Sequence, residues 1–217
     1  MIRKPDLLLH ICCAPCCTHA IEVLSETYHI HAFFFNPNIF PPDEYYFRLE
    51  ETRHYVEKLG LPFIAPKYSR KEWLSAVQHY ADEPEGGRRC EKCFDFRLLE
   101  TAKTAVTLNV HYFTTTLTTG PNKPASAIFP LAENIALKFG LTFVSQDFKK
   151  HDGFKKSCEL SKRLGMYRQN YCGCEYSLRD RNRRIRSPKQ AYRQTRSTEP
   201  YSAQRACLPN KPPQTSL

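Results

Sequence analysis

Five short apolar runs, most of them followed by a stretch with helical spacing, set the terms for this chain of 217 residues. Leu7 to Ile11 is the first; it ends directly at Cys12, and after Pro15 a helix is expected from about Thr18 to Tyr28. His31 to Phe35 reads as a second strand, Asn36-Pro37-Asn38 as a turn, and Asp43 to Leu59 as a helix stopped by Gly60. Leu61 to Ala65 is a third strand, Tyr68 to Tyr80 a helix carrying Trp73, and Asp82 to Arg89 a loop with Pro84, Gly86 and Gly87. A helix resumes from Cys93 to about Leu108, His111 to Thr115 is a strand, Ala125 to Phe139 a helix, and Leu141 to Val144 a last strand. This alternation implies an α/β fold, a mostly parallel sheet flanked by helices in the Rossmann-like manner. Parallel neighbours need crossover connections, and the crossovers lay helices on both faces. Ligand sites in such sheets lie beyond the C-terminal ends of the strands. Cys12 and its neighbours, Asn36-Pro37-Asn38 and the Thr-rich stretch Thr114 to Thr119 all fall there.

Eight of the ten cysteines are clustered, as Cys12-Cys13-Ala14-Pro15-Cys16-Cys17, Cys90-Glu91-Lys92-Cys93 and Cys172-Gly173-Cys174; Cys158 and Cys207 stand alone. A chain this long buries a core without disulfide staples, so close cysteine pairs point to cytoplasmic metal or thiol chemistry rather than to a secreted scaffold. The N-terminus agrees. Arg3 and Lys4 precede only Leu7-Leu8-Leu9, broken by His10 and without a small-residue cleavage site, so no signal peptide is expected. No apolar stretch approaches the ~18 residues of a membrane span.

The net charge of +10 is unevenly placed: from Arg179 onward ten Lys and Arg face two Asp and Glu, a net of +8, against +2 for everything before. Arg179, Arg181, Arg183, Arg184 and Arg186 form a dense run, and the remainder is rich in Pro, Ser, Gln and Thr. The division expected is a folded domain over 1–178 and a basic, disordered tail over 179–217. Such an arm suits phosphate contacts with nucleic acid, and equally a solvated tail without a partner.

Cys90 and Cys93, three apart at a helix start, can both point at one ion while the helix dipole favours their thiolates. Cys13-Ala14-Pro15-Cys16 before a helix is also the arrangement of thioredoxin-type oxidoreductases. Spacing alone leaves structural zinc, an iron–sulfur cluster and simple dithiol chemistry open. Cys172 and Cys174 differ in kind: a disulfide across one residue closes a small strained ring and is easily reduced, which suits an electron relay; two further metal ligands is the other reading. The eight histidines show no metal spacing, and Tyr45, Tyr46 and Phe47 suit helix packing better than base stacking. Walker, G-x-G-x-x-G and G-x-S-x-G motifs are missing, so phosphate-loop and serine-hydrolase functions have no support.

Taken together, Leu8-Leu9-His10-Ile11-Cys12-Cys13-Ala14-Pro15-Cys16, Phe34-Phe35-Asn36-Pro37-Asn38-Ile39, the run from Glu83 through Gly86-Gly87-Arg88-Arg89-Cys90 to Phe94, Thr115-Thr116-Leu117-Thr118 and Tyr167-Arg168-Gln169-Asn170-Tyr171-Cys172-Gly173-Cys174 resemble the QueH family. These are cobalamin-independent epoxyqueuosine reductases. The likeness runs from about residue 6 to residue 178, in order. It implies reduction of epoxyqueuosine at the wobble position of tRNA, a cytoplasmic oxidoreductase, and a 4Fe-4S cluster held by Cys12, Cys13, Cys90 and Cys93. It further implies Cys172 and Cys174 as the redox-active pair. An additional iron is implied beside the cluster, where Cys16, with Cys17 next to it, would assist. The expected partners are the tRNA anticodon loop and an electron donor of unstated identity. A thioredoxin-like dithiol oxidoreductase and a zinc-stapled RNA-binding module are the competing functions.

Overall fold

The structure is a computed structural model that describes residues 3–186. Its elements run β1 (Asp6–His10), α1 (Ala14–Ser25), β2 (His29–Phe33), α2 (Pro42–Lys58), β3 (Phe63–Ile64), α3 (Lys71–Val77), α4 (Arg88–Thr107), β4 (Tyr112–Thr115), α5 (Ala125–Phe139), β5 (Thr142–Phe143), α6 (Gly153–Arg163) and α7 (Glu175–Arg186). Single 3-10 turns cover Gln78–Tyr80 and Thr116–Thr119. The five strands are all parallel, in the order β3-β2-β1-β4-β5.

The strand period of two divides the core. Leu7 and Leu9 pack on one face with Cys17, Ala20, Ile21 and Leu24 of α1 and Val56 of α2. Leu8 turns to the other, against Phe94, Leu98 and Ala102 of α4 and Ile128 and Ala132 of α5. All three leucines are fully buried, each contributing about 1.5–3 kcal/mol from the surface removed from water. With apolar neighbours above and below, the run Leu7 to Leu9 is continuous rather than alternating, as a doubly covered parallel strand requires.

Several boundaries differ from those expected, for local reasons. Helix α1 starts at Ala14 rather than Thr18, because Pro15 occupies its first turn, where the missing N–H costs nothing. Helix α4 starts at Arg88, inside the segment expected to be a loop. Its N-cap residue Gly87 is extended, and the Glu83 carboxylate accepts from the Arg88 N–H at 3.2 Å, satisfying an otherwise orphaned donor. Helix α3 is shorter than Tyr68 to Tyr80, its end tightening into the 3-10 turn.

Helices α6 and α7 were not expected. The buried face of α6 is Gly153, Ser157, Cys158 and Ser161, small residues without a hydrophobic period. Gly153 is needed there, because a Cβ on it would lie 2.0 Å from the Phe148 carbonyl oxygen. Helix α7 is dominated by charge and is docked by specific contacts: Arg70 pairs with Glu175 at 2.8 Å, Tyr176 lies against Trp73, and Arg179 Nη2 donates to the Ala81 carbonyl at 3.1 Å. Arg179, Arg181, Arg183 and Arg184 thus stand on a helix; the rest of the basic segment, residues 187–217, lies outside the described residues.

Candidate active site

The chain leaves β1 for α1 and β2 on one side, and returns through β4 and β5 on the other. Strand order therefore reverses between β1 and β4, and a crevice opens beyond their C-terminal ends. Ile11-Cys12-Cys13 leave β1 into it, and the 3-10 turn Thr116–Thr119 leaves β4. Thr116 joins the two: its Oγ1 accepts from the Cys12 N–H at 3.0 Å and lies 3.3 Å from the Cys12 sulfur, to which the hydroxyl donates.

Beneath the crevice, His10 is wholly buried. Its Nε2 donates to the Phe35 carbonyl at 3.2 Å, which leaves Nδ1 to accept from Thr115 Oγ1 at 2.7 Å. Burial, reinforced by the Arg97 charge, pushes its pKa down to about 3, so it is a neutral strut between β1, β4 and the end of β2. Asn36 is a second strut: Nδ2 donates to the Ile11 carbonyl at 2.9 Å, and Oδ1 accepts from Arg97 Nη2. One amide thereby links helix α4 to the residue before Cys12.

Cys12, Cys13 and Cys16 form a compact triad, their sulfurs all within 4.8 Å of one another. Cys13 and Cys16 come closest, at 2.7 Å, and Gln169 Nε2 donates to Cys13 at 3.1 Å. Cys17 turns the other way, into the core beneath α1, where its thiol donates to the Ala14 carbonyl at 3.2 Å.

Cys90 and Cys93 lie on the first two turns of α4, on one face, and stand outside the triad. Cys90 packs against the group that contains Cys12, Cys13 and Cys16, and the Gly86 N–H donates to its sulfur at 3.2 Å. Cys93 packs with Trp73, Cys174 and Tyr176. Cys174 sits just before α7 and its sulfur accepts from the Ser177 N–H at 3.4 Å, capping the helix. Cys172 is half-buried, its carbonyl accepting from Arg48 Nη1 at 3.3 Å, and the next carbonyl, of Gly173, accepts from the Phe40 N–H at 2.8 Å. Gly173 has φ +124°, and a Cβ on it would lie 3.0 Å from Arg48 Nη1, so the position excludes a side chain on two counts.

Burial pushes Cys13 up to about 12, Cys90 up to about 11 and Cys174 up to about 12, and it raises Cys93. Cys12 is the exception, held low by hydrogen bonds from the thiols of Cys13 and Cys16. Burial works against the Lys123 ammonium, and negative charge on the sulfurs of Cys172, Cys12 and Cys16 outweighs it, raising its pKa. The donor set therefore fits a soft, cationic metal group: several thiols ionise together in this crevice only against added positive charge. Among the described residues no carboxylate or imidazole joins the triad.

Three clusters distant in sequence thus come to one crevice. The residues that reading the sequence left without a role are those around them: Asn36, Arg97, Thr116, Lys123 and Gln169. For Arg97 a signal existed, since it follows Cys93 by four and shares its helix face. Gln169 and Thr116 meet cysteines 156 and 104 residues away, which no local pattern records.

A family model described as epoxyqueuosine reductase QueH matches residues 7–180. A relative from Streptococcus pyogenes serotype M1, so named, is 36% identical over 182 residues, covering 81% of this chain and 71% of its own. Others with that name, from Thermotoga maritima and Acinetobacter baylyi, are each 38% identical, covering 81% and 84% of this chain and 91% and 86% of their own. A match over most of the domain, through the segments that build the crevice, means that the chain belongs to the epoxyqueuosine reductase QueH family.

Proposed function

We propose that the protein is an oxidoreductase that reduces epoxyqueuosine to queuosine at the wobble position of tRNA in the cytoplasm. The observation that carries this is the convergence of all three cysteine clusters at the sheet's reversal point, in a chain of this family. Cys12, Cys13, Cys90 and Cys93 would hold a 4Fe-4S cluster, which supplies electrons singly at low potential, and Cys16 would serve an additional iron, which supplies Lewis acidity.

The reaction removes the epoxide oxygen as water and leaves an alkene, consuming two electrons and two protons. Cys172 and Cys174 can provide both pairs: two thiols become a disulfide and release two protons, and an external electron donor restores them. Burial keeps the proton on Cys174 Sγ until it is drawn off. Lys123 brings positive charge within electrostatic reach of Cys172, Cys12 and Cys16, where it would favour a developing negative charge. Arg48 and the Phe40 N–H fix the Cys172–Gly173 backbone through its carbonyls, holding the pair at the crevice edge. The modified base must leave its stack to reach this depth, which an anticodon loop permits and a duplex does not. Arg168 and Tyr171 are engaged with Ser161 and the Phe40 carbonyl and Arg179 docks α7, so phosphate contacts would fall to the exposed Arg183 and Arg184. No helix among the described residues is long and apolar enough to cross a membrane.

Iron and acid-labile sulfide in anaerobically purified protein are the test. Both should be present, with a broad visible band bleached by dithionite and turnover of epoxyqueuosine-bearing tRNA. Stoichiometric zinc without iron would refute the proposal in favour of a zinc-stapled module. A colourless protein active on disulfides would return Cys13 and Cys16 to thioredoxin-like chemistry.

A further inference from the structure

Three of the four sulfurs assigned to the cluster accept a hydrogen bond from a donor that is not a cysteine. Thr116 Oγ1 donates to Cys12 at 3.3 Å, Gln169 Nε2 to Cys13 at 3.1 Å and the Gly86 N–H to Cys90 at 3.2 Å. Cys93, the fourth, has Trp73 and Arg97 beside it. Both side chains are almost completely buried, and Trp73 Nε1 and Arg97 Nε and Nη1 have no hydrogen-bond partner among the described residues. Trp73 packs directly with Cys93, and Arg97 follows it by one helical turn. Buried N–H groups without acceptors are costly, so a pair of them beside one thiol points to that sulfur, as an anion, as their intended partner.

From this geometry we infer that Thr116, Gln169, the Gly86 amide and the Trp73–Arg97 pair form a donor shell that sets the reduction potential of the centre. The inference rests on the cluster reading above and adds positioning residues to it. Donors directed at sulfur stabilise the reduced state, which carries one more negative charge, more than the oxidised state, so they raise the potential. The Thr116 turn, the loops of Gly86 and Gln169 and the helices of Trp73 and Arg97 all contribute, which makes this a property of the whole crevice rather than of one loop. Arg97 acts twice, since its bond to Asn36 also ties the α4 ligands to the backbone before Cys12.

The test is an anaerobic redox titration of the full-length protein, with iron and sulfide measured on every sample. Thr116→Val, Gln169→Leu and Trp73→Phe should each keep wild-type iron and sulfide and shift the midpoint to more negative potential, while Thr116→Ser, which keeps the hydroxyl, stays at the wild-type value. Loaded variants with an unmoved midpoint would overturn the inference and leave the proposed function standing. So would loss of iron from all three variants in a folded protein, which would make these side chains determinants of assembly. If one variant alone fails to fold, the other two decide. Wild-type protein without iron and sulfide overturns the proposed function itself, and the inference with it, before any variant is compared.

Discussion

Gly153 sits where α6 meets the loop before it, and the nearest atom to a Cβ there would be the Phe148 carbonyl oxygen, with His19 Cδ2 at 3.1 Å behind it. A backbone carbonyl cannot swing aside as a long side chain does. Gly153→Ala should therefore lower stability by about 1–3 kcal/mol, read as a fall in the urea midpoint at constant slope. The cysteines separate by role at this same scale. Cys90→Ala removes a proposed ligand and should abolish the visible band. Cys172→Ala should keep the band and lower turnover by at least about 100-fold, the scale of losing a positioned proton donor. Loss of iron from Cys172→Ala would instead make Cys172 a ligand. Residue identity alone singled these sulfurs out, because clustered soft ligands are rare. Their hydrogen-bond donors are commonplace Thr, Gln, Trp and Arg side chains, and only folding shows which of them reach a sulfur.

Strand β1 is the central element, paired with β2 on one side and β4 on the other, and Leu8 on it is fully enclosed by α4 and α5. Leu8→Ala should destabilise the protein by about 2–5 kcal/mol in chemical denaturation, since packed helices on that face cannot collapse into the space. Elements of this kind are readable from sequence: a run of Leu and Ile flanked by polar residues can be buried in few ways, and helix α5 ends at Phe139 as expected because Gly140, at φ +65°, supplies the left-handed stop. Helix α6 was illegible for the opposite reason. Its interior face is Gly, Ser and Cys, which pack closely without the hydrophobic signature by which a buried helix is recognised. Helix α7 was hidden by its charge, its attachment depending on Tyr176, Glu175 and Arg179 meeting partners about 100 residues earlier.

The charge of the molecule is polarised along the chain, with a net of +8 after residue 178. Truncation after Arg186 keeps helix α7 whole and removes Lys189, Arg193, Arg196, Arg205 and Lys211. If these contact phosphate, the shortened protein should bind tRNA more weakly, with a shallower dependence of log affinity on log salt; an unchanged slope would show a solvated tail. The crevice has its own long-range character. Its thiols come from residues 12 to 16, 90 to 93 and 172 to 174, and Cys90 packs against the group formed by the first of these. A ribosome-bound chain that has passed Cys12 and Cys13 but not Cys90 and Cys93 carries only half of the proposed ligand set. Iron that arrived before then would meet an incomplete receptor, so loading of the proposed centre would have to follow the synthesis of Cys93 and the packing of helix α4. Until it was loaded, the protein would carry these thiols unligated, with only the burial of Cys12, Cys13 and Cys93 standing between them and oxygen.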